Sequence, residues 1–158
     1  MKPIIDLQNV VGATNIPSLK DFEKWAVITL KQADALFENP EITLRIVSTE
    51  ESQSLNSCYR KKDKPTNVLS FPFEAPEISA IEEVDELLGD LVICEQVLLD
   101  EAQNQGKPPQ AHWAHLFIHG LLHLIGFDHQ TESEANEMES LEISILKEIG
   151  HNNPYLVS

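Results

Sequence analysis

Three histidines fall within one short run, His119-Gly120-Leu121-Leu122-His123-Leu124-Ile125-Gly126-Phe127-Asp128-His129. On an α-helix, residues four apart lie one above the other on the same face. His119 and His123 can therefore aim at one ion. Gly126 stands where the helix must end, because glycine takes positive φ without steric cost and is the usual residue just past a helix terminus. The chain can turn back there and bring His129 in as a third ligand. Three neutral imidazoles leave one tetrahedral position open on zinc. An open position holds water, whose pKa a metal lowers to about 7. Four protein ligands would read as structural; three read as hydrolytic.

A competing register exists. His115, His119 and His123 share one face, so His115 could pair with His119 instead. It cannot join both on one ion, since eight residues of helix span about 12 Å at 1.5 Å per residue. A turn at Gly126 delivers His129 to the C-terminal end of the helix, which favours His119 and His123. His112, His115 and His151 read as packed or solvated side chains.

These ligands need a framework, and 158 residues suffice for one domain with a real core. No stretch approaches the roughly eighteen apolar residues of a membrane span. The start, Met1-Lys2-Pro3-Ile4, lacks a signal-peptide core. A cytoplasmic protein is expected, with no membrane partner. Two cysteines, Cys58 and Cys94, form no CxxC pair, so a zinc ribbon is excluded and buried free thiols are expected. The net charge of −15 argues against a broad, unspecific grip on nucleic acid. Yet Arg60, Lys61, Lys62 and Lys64 gather in one window and can hold phosphate locally.

Along the chain, residues 4–11 read as a first strand, ended by Asn15-Ile16-Pro17. Ser18 with Asp21 is a capping box in front of an amphipathic helix over 19–36. Residues 41–48 alternate as a half-buried strand. Ser48 with Glu51 opens a short helix to about Tyr59, and Pro65 prevents the basic loop 60–67 from continuing it. The run Val68-Leu69-Ser70-Phe71-Pro72-Phe73 is β-rich, and a proline there marks a sheet edge. Residues 74–86 read as an acidic surface loop. A strand over 87–94, a helix over 95–104, the metal-binding helix over about 110–125 and a last helix over 132–149 complete the chain. The last helix keeps Ala135, Met138, Leu141, Ile145 and Ile149 as a core stripe, with its acids as a solvated face. The expected architecture is a single α+β domain over 1–158. One mixed, four-stranded sheet packs against about five helices, with the metal-binding helix central.

Zincin peptidases follow H-E-x-x-H-x-x-G-x-x-H, with the glutamate as general base. This chain matches the histidines and the glycine, but Gly120 replaces the glutamate. Arg60 offers different chemistry. A guanidinium grips phosphate through paired hydrogen bonds and stabilises charge that develops in phosphoryl transfer.

The histidine run resembles the signature of the YbeY family of bacterial endoribonucleases. So does Tyr59-Arg60-Lys61-Lys62-Asp63-Lys64-Pro65-Thr66-Asn67-Val68-Leu69-Ser70-Phe71-Pro72, and Leu88-Gly89-Asp90 falls where that family has it. Phe127 departs conservatively from a common tyrosine. The resemblance covers most of the chain. It implies a single-strand-specific, metal-dependent endoribonuclease acting in maturation of the 3′ end of small-subunit ribosomal RNA and in ribosome quality control. It implies one zinc ion per chain, held by His119, His123 and His129, and makes Arg60 the catalytic residue. Lys61, Lys62 and Lys64 would bind substrate. The partners would be single-stranded RNA, ribosomal RNA and the small ribosomal subunit with its proteins. Two rivals are a metallopeptidase-like hydrolase, which Gly120 disfavours, and a non-catalytic ribosome-associated module whose metal braces the fold. Asp128 could orient a ligand imidazole or serve only in a turn.

Overall fold

The structure, a computed structural model, describes residues 1–73 and 86–156. The acidic loop expected at 74–86 lies, apart from Glu86, outside the described residues. Four strands and five helices follow in the order β1 (Ile4–Asn9), α1 (Leu19–Gln32), β2 (Glu41–Val47), α2 (Thr49–Arg60), β3 (Val68–Pro72), β4 (Leu87–Cys94), α3 (Glu95–Gln105), α4 (Pro109–Leu124) and α5 (Glu132–Glu148). The strands form one sheet in the order β1-β2-β4-β3. β1, β2 and β4 run parallel, and β3 pairs antiparallel with β4. The fold is α+β with a mixed sheet, as the pattern of elements predicts. Pro72 lies on the edge strand β3, where a missing N–H costs the ladder least.

Period-two alternation sorts the side chains onto two faces. Ile42, Leu44 and Ile46 of β2 face the same layer as Leu91 and Ile93 of β4, and this layer packs against α1, α4 and α5. Val47, Leu69, Val92 and Cys94 face the other side, where Leu55 of α2 covers part of them. α4 is central. Trp113, Ala114, Phe117, Ile118, Leu121 and Leu122 are all fully buried. Phe22 of α1 stacks its ring 5.2 Å from Phe117 and 6.1 Å from Trp113. Each large apolar side chain so buried stabilises the fold by roughly 1.5–3 kcal/mol relative to exposure.

Several boundaries differ from expectation for local reasons. α1 stops at Gln32 because Asp34 takes left-handed φ of 56°. β1 stops at Asn9, whose side chain closes a turn by donating to the Ala13 carbonyl and accepting from its N–H. Ser18 and Asp21 form the full capping box of α1. Cys94 is buried, but Cys58 is exposed at the end of α2, contrary to the expectation that both are buried. Among the described residues no helix is long and apolar enough to cross a membrane.

Candidate metal centre

Proline at the first position of α4 starts that helix without loss, since the N–H there has no intrahelical partner. At its other end, the Gly126 N–H donates to the His123 carbonyl and the Phe127 N–H to the Leu122 carbonyl. This pair is a Schellman motif, and Gly126 takes the positive φ of 106° that it requires. The turn carries His129 back over the helix. Ligand nitrogens of His119, His123 and His129 all lie within 4.8 Å of one another. The three imidazoles that spacing picked out are brought together.

Their protonation follows from their partners. His119 Nδ1 lies 2.5 Å from a carboxylate oxygen of Glu142 on α5. A carboxylate only accepts, so Nδ1 carries the hydrogen and neutral His119 presents a bare Nε2. The His123 ring meets the Phe127 backbone, an interaction that favours its charged form. Burial, followed by the charges of His119 and His129, outweighs it and lowers the His123 pKa. The two Nε2 atoms stand 3.2 Å apart. Two nitrogens bound to one tetrahedral zinc at 2.0–2.1 Å would be separated by about 3.3 Å. The donor set and its spacing therefore fit a divalent cation.

A cleft of about 270 Å³ opens over these rings. Arg60, the last residue of α2, also lines it, together with Thr66, Asn67 and Ser70. Arg60 and the histidines, separated by more than fifty residues of chain, thus face one space. The loop between them is tied down from α2. Ser52 Oγ donates to the Thr66 carbonyl and accepts from the Thr66 N–H. Asn56 Nδ2 donates to the Lys64 carbonyl. Both side chains are buried. Lys61, Lys62 and Lys64 are exposed beside the cleft and do not line it. Lys61 takes left-handed φ of 57° at the C-cap of α2, which turns the chain into this loop.

The other candidates separate cleanly. His112 is buried and donates to Glu101 at 2.9 Å. His115 donates to Glu142 at 2.9 Å, and burial lowers its pKa more than that bond raises it. His151 is half-buried and lies outside the cleft lining. Asp128 accepts from the His129 N–H at 2.7 Å, a turn bond. Gly120 lies against the sheet. A Cβ there would meet Leu91 Cδ2 at 2.8 Å, so a side chain at the position that holds a base in zincins would have to displace that leucine or lift the helix here.

Glu142 corrects the reading of the α5 acids as a solvated face. It is fully buried, and its second oxygen accepts from both His115 and the Tyr155 hydroxyl. Burial opposes its charge, but the hydrogen bonds with His115 and His119 outweigh burial and hold its pKa down to about 2. Tyr155 is pushed the other way, above its usual range, by burial and by that carboxylate. The signal was present in the spacing. Met138, Glu142 and Ile145 follow one another on the core face, so Glu142 interrupts an apolar stripe.

Comparison with known proteins identifies the family. The family profile described as Endoribonuclease YbeY matches residues 7–150. The chain is 50% identical over 157 residues to Endoribonuclease YbeY of Colwellia psychrerythraea, covering 99% of each. The solution structure of TM1509 from Thermotoga maritima superposes with a TM-score of 0.58 at 19% identity, covering 97% of this chain and 99% of that one, which shows a shared fold. The chain belongs to the YbeY family of endoribonucleases, hydrolases that cleave RNA within the strand.

Proposed function

We propose that this endoribonuclease is metal-dependent and specific for single-stranded RNA. Its role would be to mature the 3′ end of small-subunit ribosomal RNA and to serve ribosome quality control, in the cytoplasm and in contact with the small subunit and its proteins. The observation that carries the site assignment is the convergence of three imidazoles, one held through its Nδ1–H by Glu142, on a cleft that Arg60 also lines. His119, His123 and His129 would hold one zinc ion, although a three-imidazole set also suits nickel or copper. When bound, the cation supplies Lewis acidity at the scissile phosphodiester.

The chain's own residues supply the rest. The Arg60 guanidinium holds the phosphate through paired hydrogen bonds and stabilises the charge that grows on its oxygens. Arg60 closes α2 and the following loop is fixed by Ser52 and Asn56, so the backbone that carries it is held beside the cleft while its side chain is exposed. Lys61, Lys62 and Lys64 draw the strand toward the cleft by charge. The acidic body, at net −15, repels nucleic acid elsewhere, which concentrates binding at this patch. A ribosomal partner would then provide much of the remaining grip on RNA.

The test joins metal analysis to cleavage of matched single- and double-stranded RNA, with and without chelator. One equivalent of metal, cleavage of the single strand only and loss of cleavage with chelator are expected. Undiminished cleavage in chelator would remove the metal from the mechanism. Cells depleted of the protein should accumulate small-subunit RNA extended at its 3′ end.

A further inference from the structure

Glu142 lies outside the cleft and makes no contact with the position a substrate would occupy. Its carboxylate is nonetheless fully buried and fully engaged. One oxygen accepts from His119 Nδ1, at 2.5 Å. The other accepts from His115 Nε2 at 2.9 Å and from the Tyr155 hydroxyl. Lys107 Nζ donates to the Pro154 carbonyl at 2.7 Å and so fixes the segment that carries Tyr155. Three elements, α4, α5 and the segment after α5, thereby converge on one carboxylate.

We propose that Glu142 is the positioning residue of the imidazole cluster. Its buried carboxylate locks His119 with hydrogen on Nδ1 and a bare Nε2 toward His123 and His129, and His115 and Tyr155 hold that carboxylate in place. This inference rests on the metal-site reading above and deepens it. The physical reason is twofold. A neutral imidazole exchanges between two tautomers, only one of which offers a lone pair to the cluster, and a charged acceptor at Nδ1 selects that one. The same bond fixes the ring about its χ angles, so that Nε2 stays 3.2 Å from its neighbour on His123. The group His115, His119 and Glu142 also has the composition of a cation site. Its ligand atoms, however, are already joined to each other by hydrogen bonds, and the proposal gives it the role of a support.

The experiment measures Zn(II) and Co(II) affinity by competition with a chromogenic chelator, for wild type, Glu142→Gln, Tyr155→Phe and His123→Ala. Loss of an outer partner of a ligating histidine typically weakens metal binding about 10–100-fold, and Glu142→Gln should fall in that range. Tyr155→Phe leaves the carboxylate in place with one donor fewer and should lose less. It also keeps the proposal testable if the Gln variant does not fold. Two-bond ¹H–¹⁵N imidazole spectra of the chelator-treated wild type should show His119 as the Nδ1–H tautomer, and Glu142→Gln should mix the two forms. Wild-type affinity in a folded Glu142→Gln protein, or an Nε2–H tautomer at His119 in the wild type, would overturn the proposal. So would two equivalents of metal per chain, with the second abolished by Glu142→Gln. If His123→Ala also binds as wild type does, the metal-site reading itself fails; if His123→Ala loses metal while Glu142→Gln does not, only the positioning role fails.

Discussion

Four histidines descend α4, at 112, 115, 119 and 123, and its two ends use them differently. At the N-terminal end His112 is 3% exposed and its Nε2 donates to Glu101, which also accepts from Asn67. That end is closed: the imidazole bridges α4 to α3 and to the start of β3. At the C-terminal end His119 and His123 face a cleft, and His119 has a carboxylate behind it that leaves its Nε2 bare toward the cleft. Residue type is the same at both ends, and the spacing differs only between three and four residues. What differs is the group opposite the donating nitrogen and whether the far nitrogen meets packed protein or open space. A histidine pattern on one helix therefore proposes a site, and the neighbouring elements decide where along the helix it lies.

The sharpest way to break this contrast is His123→Ala. Stoichiometric metal and RNA cleavage should both vanish, read by metal analysis and a single-strand cleavage assay, whereas His112→Ala should keep its metal. Next comes Arg60→Ala, which belongs to the open end without being a ligand. Metal content should stay at the wild-type level while kcat falls roughly a hundredfold, the typical cost of removing one preorganised charge-stabilising group. Smaller still is the combined replacement of Lys61, Lys62 and Lys64 by alanine. Since these side chains lie beside the cleft, kcat should hold while KM rises. The slope of log affinity against log salt should flatten by about 2, at roughly 0.7 per contact with a single strand.

The smallest effect belongs to the closed end. Burial raises the Glu101 pKa, but hydrogen bonds with His112 and Asn67 outweigh it, so the group titrates below its ordinary value. A depressed carboxyl stabilises the fold above its unfolded pKa and ceases to do so as pH falls through its folded one. Glu101→Gln should therefore lower stability at neutral pH by less than about 1 kcal/mol, given its partial exposure. The gap to wild type should close in acid, and metal content should not change.

The part of this architecture written in local pattern was legible. Strict alternation in residues 41–47, the Ser18–Asp21 capping box and the apolar run that Gly126 terminates each identify an element from its own residues. Pro72 marked a sheet edge because a missing donor is a local fact. The parallel pairing of β1, β2 and β4 was not legible, since it depends on which long-range partner each strand finds. Glu142 was legible in part. Its spacing with Met138 and Ile145 places it on the core face, but its partner His119 lies 23 residues away in the chain and no local pattern names it. Ser52 and Asn56 escaped because their partners are backbone groups of a loop whose path no side-chain pattern encodes.

Gly120 acts as a shim. The missing side chain lets α4 rest directly on Leu91, Val68 and Ser70, and the Ser70 hydroxyl reaches the Gly120 carbonyl at 3.1 Å. The gap between helix and strand thus sets how far the neighbouring imidazole stands from Val68 and Ser70, which line the same cleft as Arg60. Even one methyl group at this position would have to lift the helix or displace a core leucine. It would change the position of His119 without touching a single donor atom.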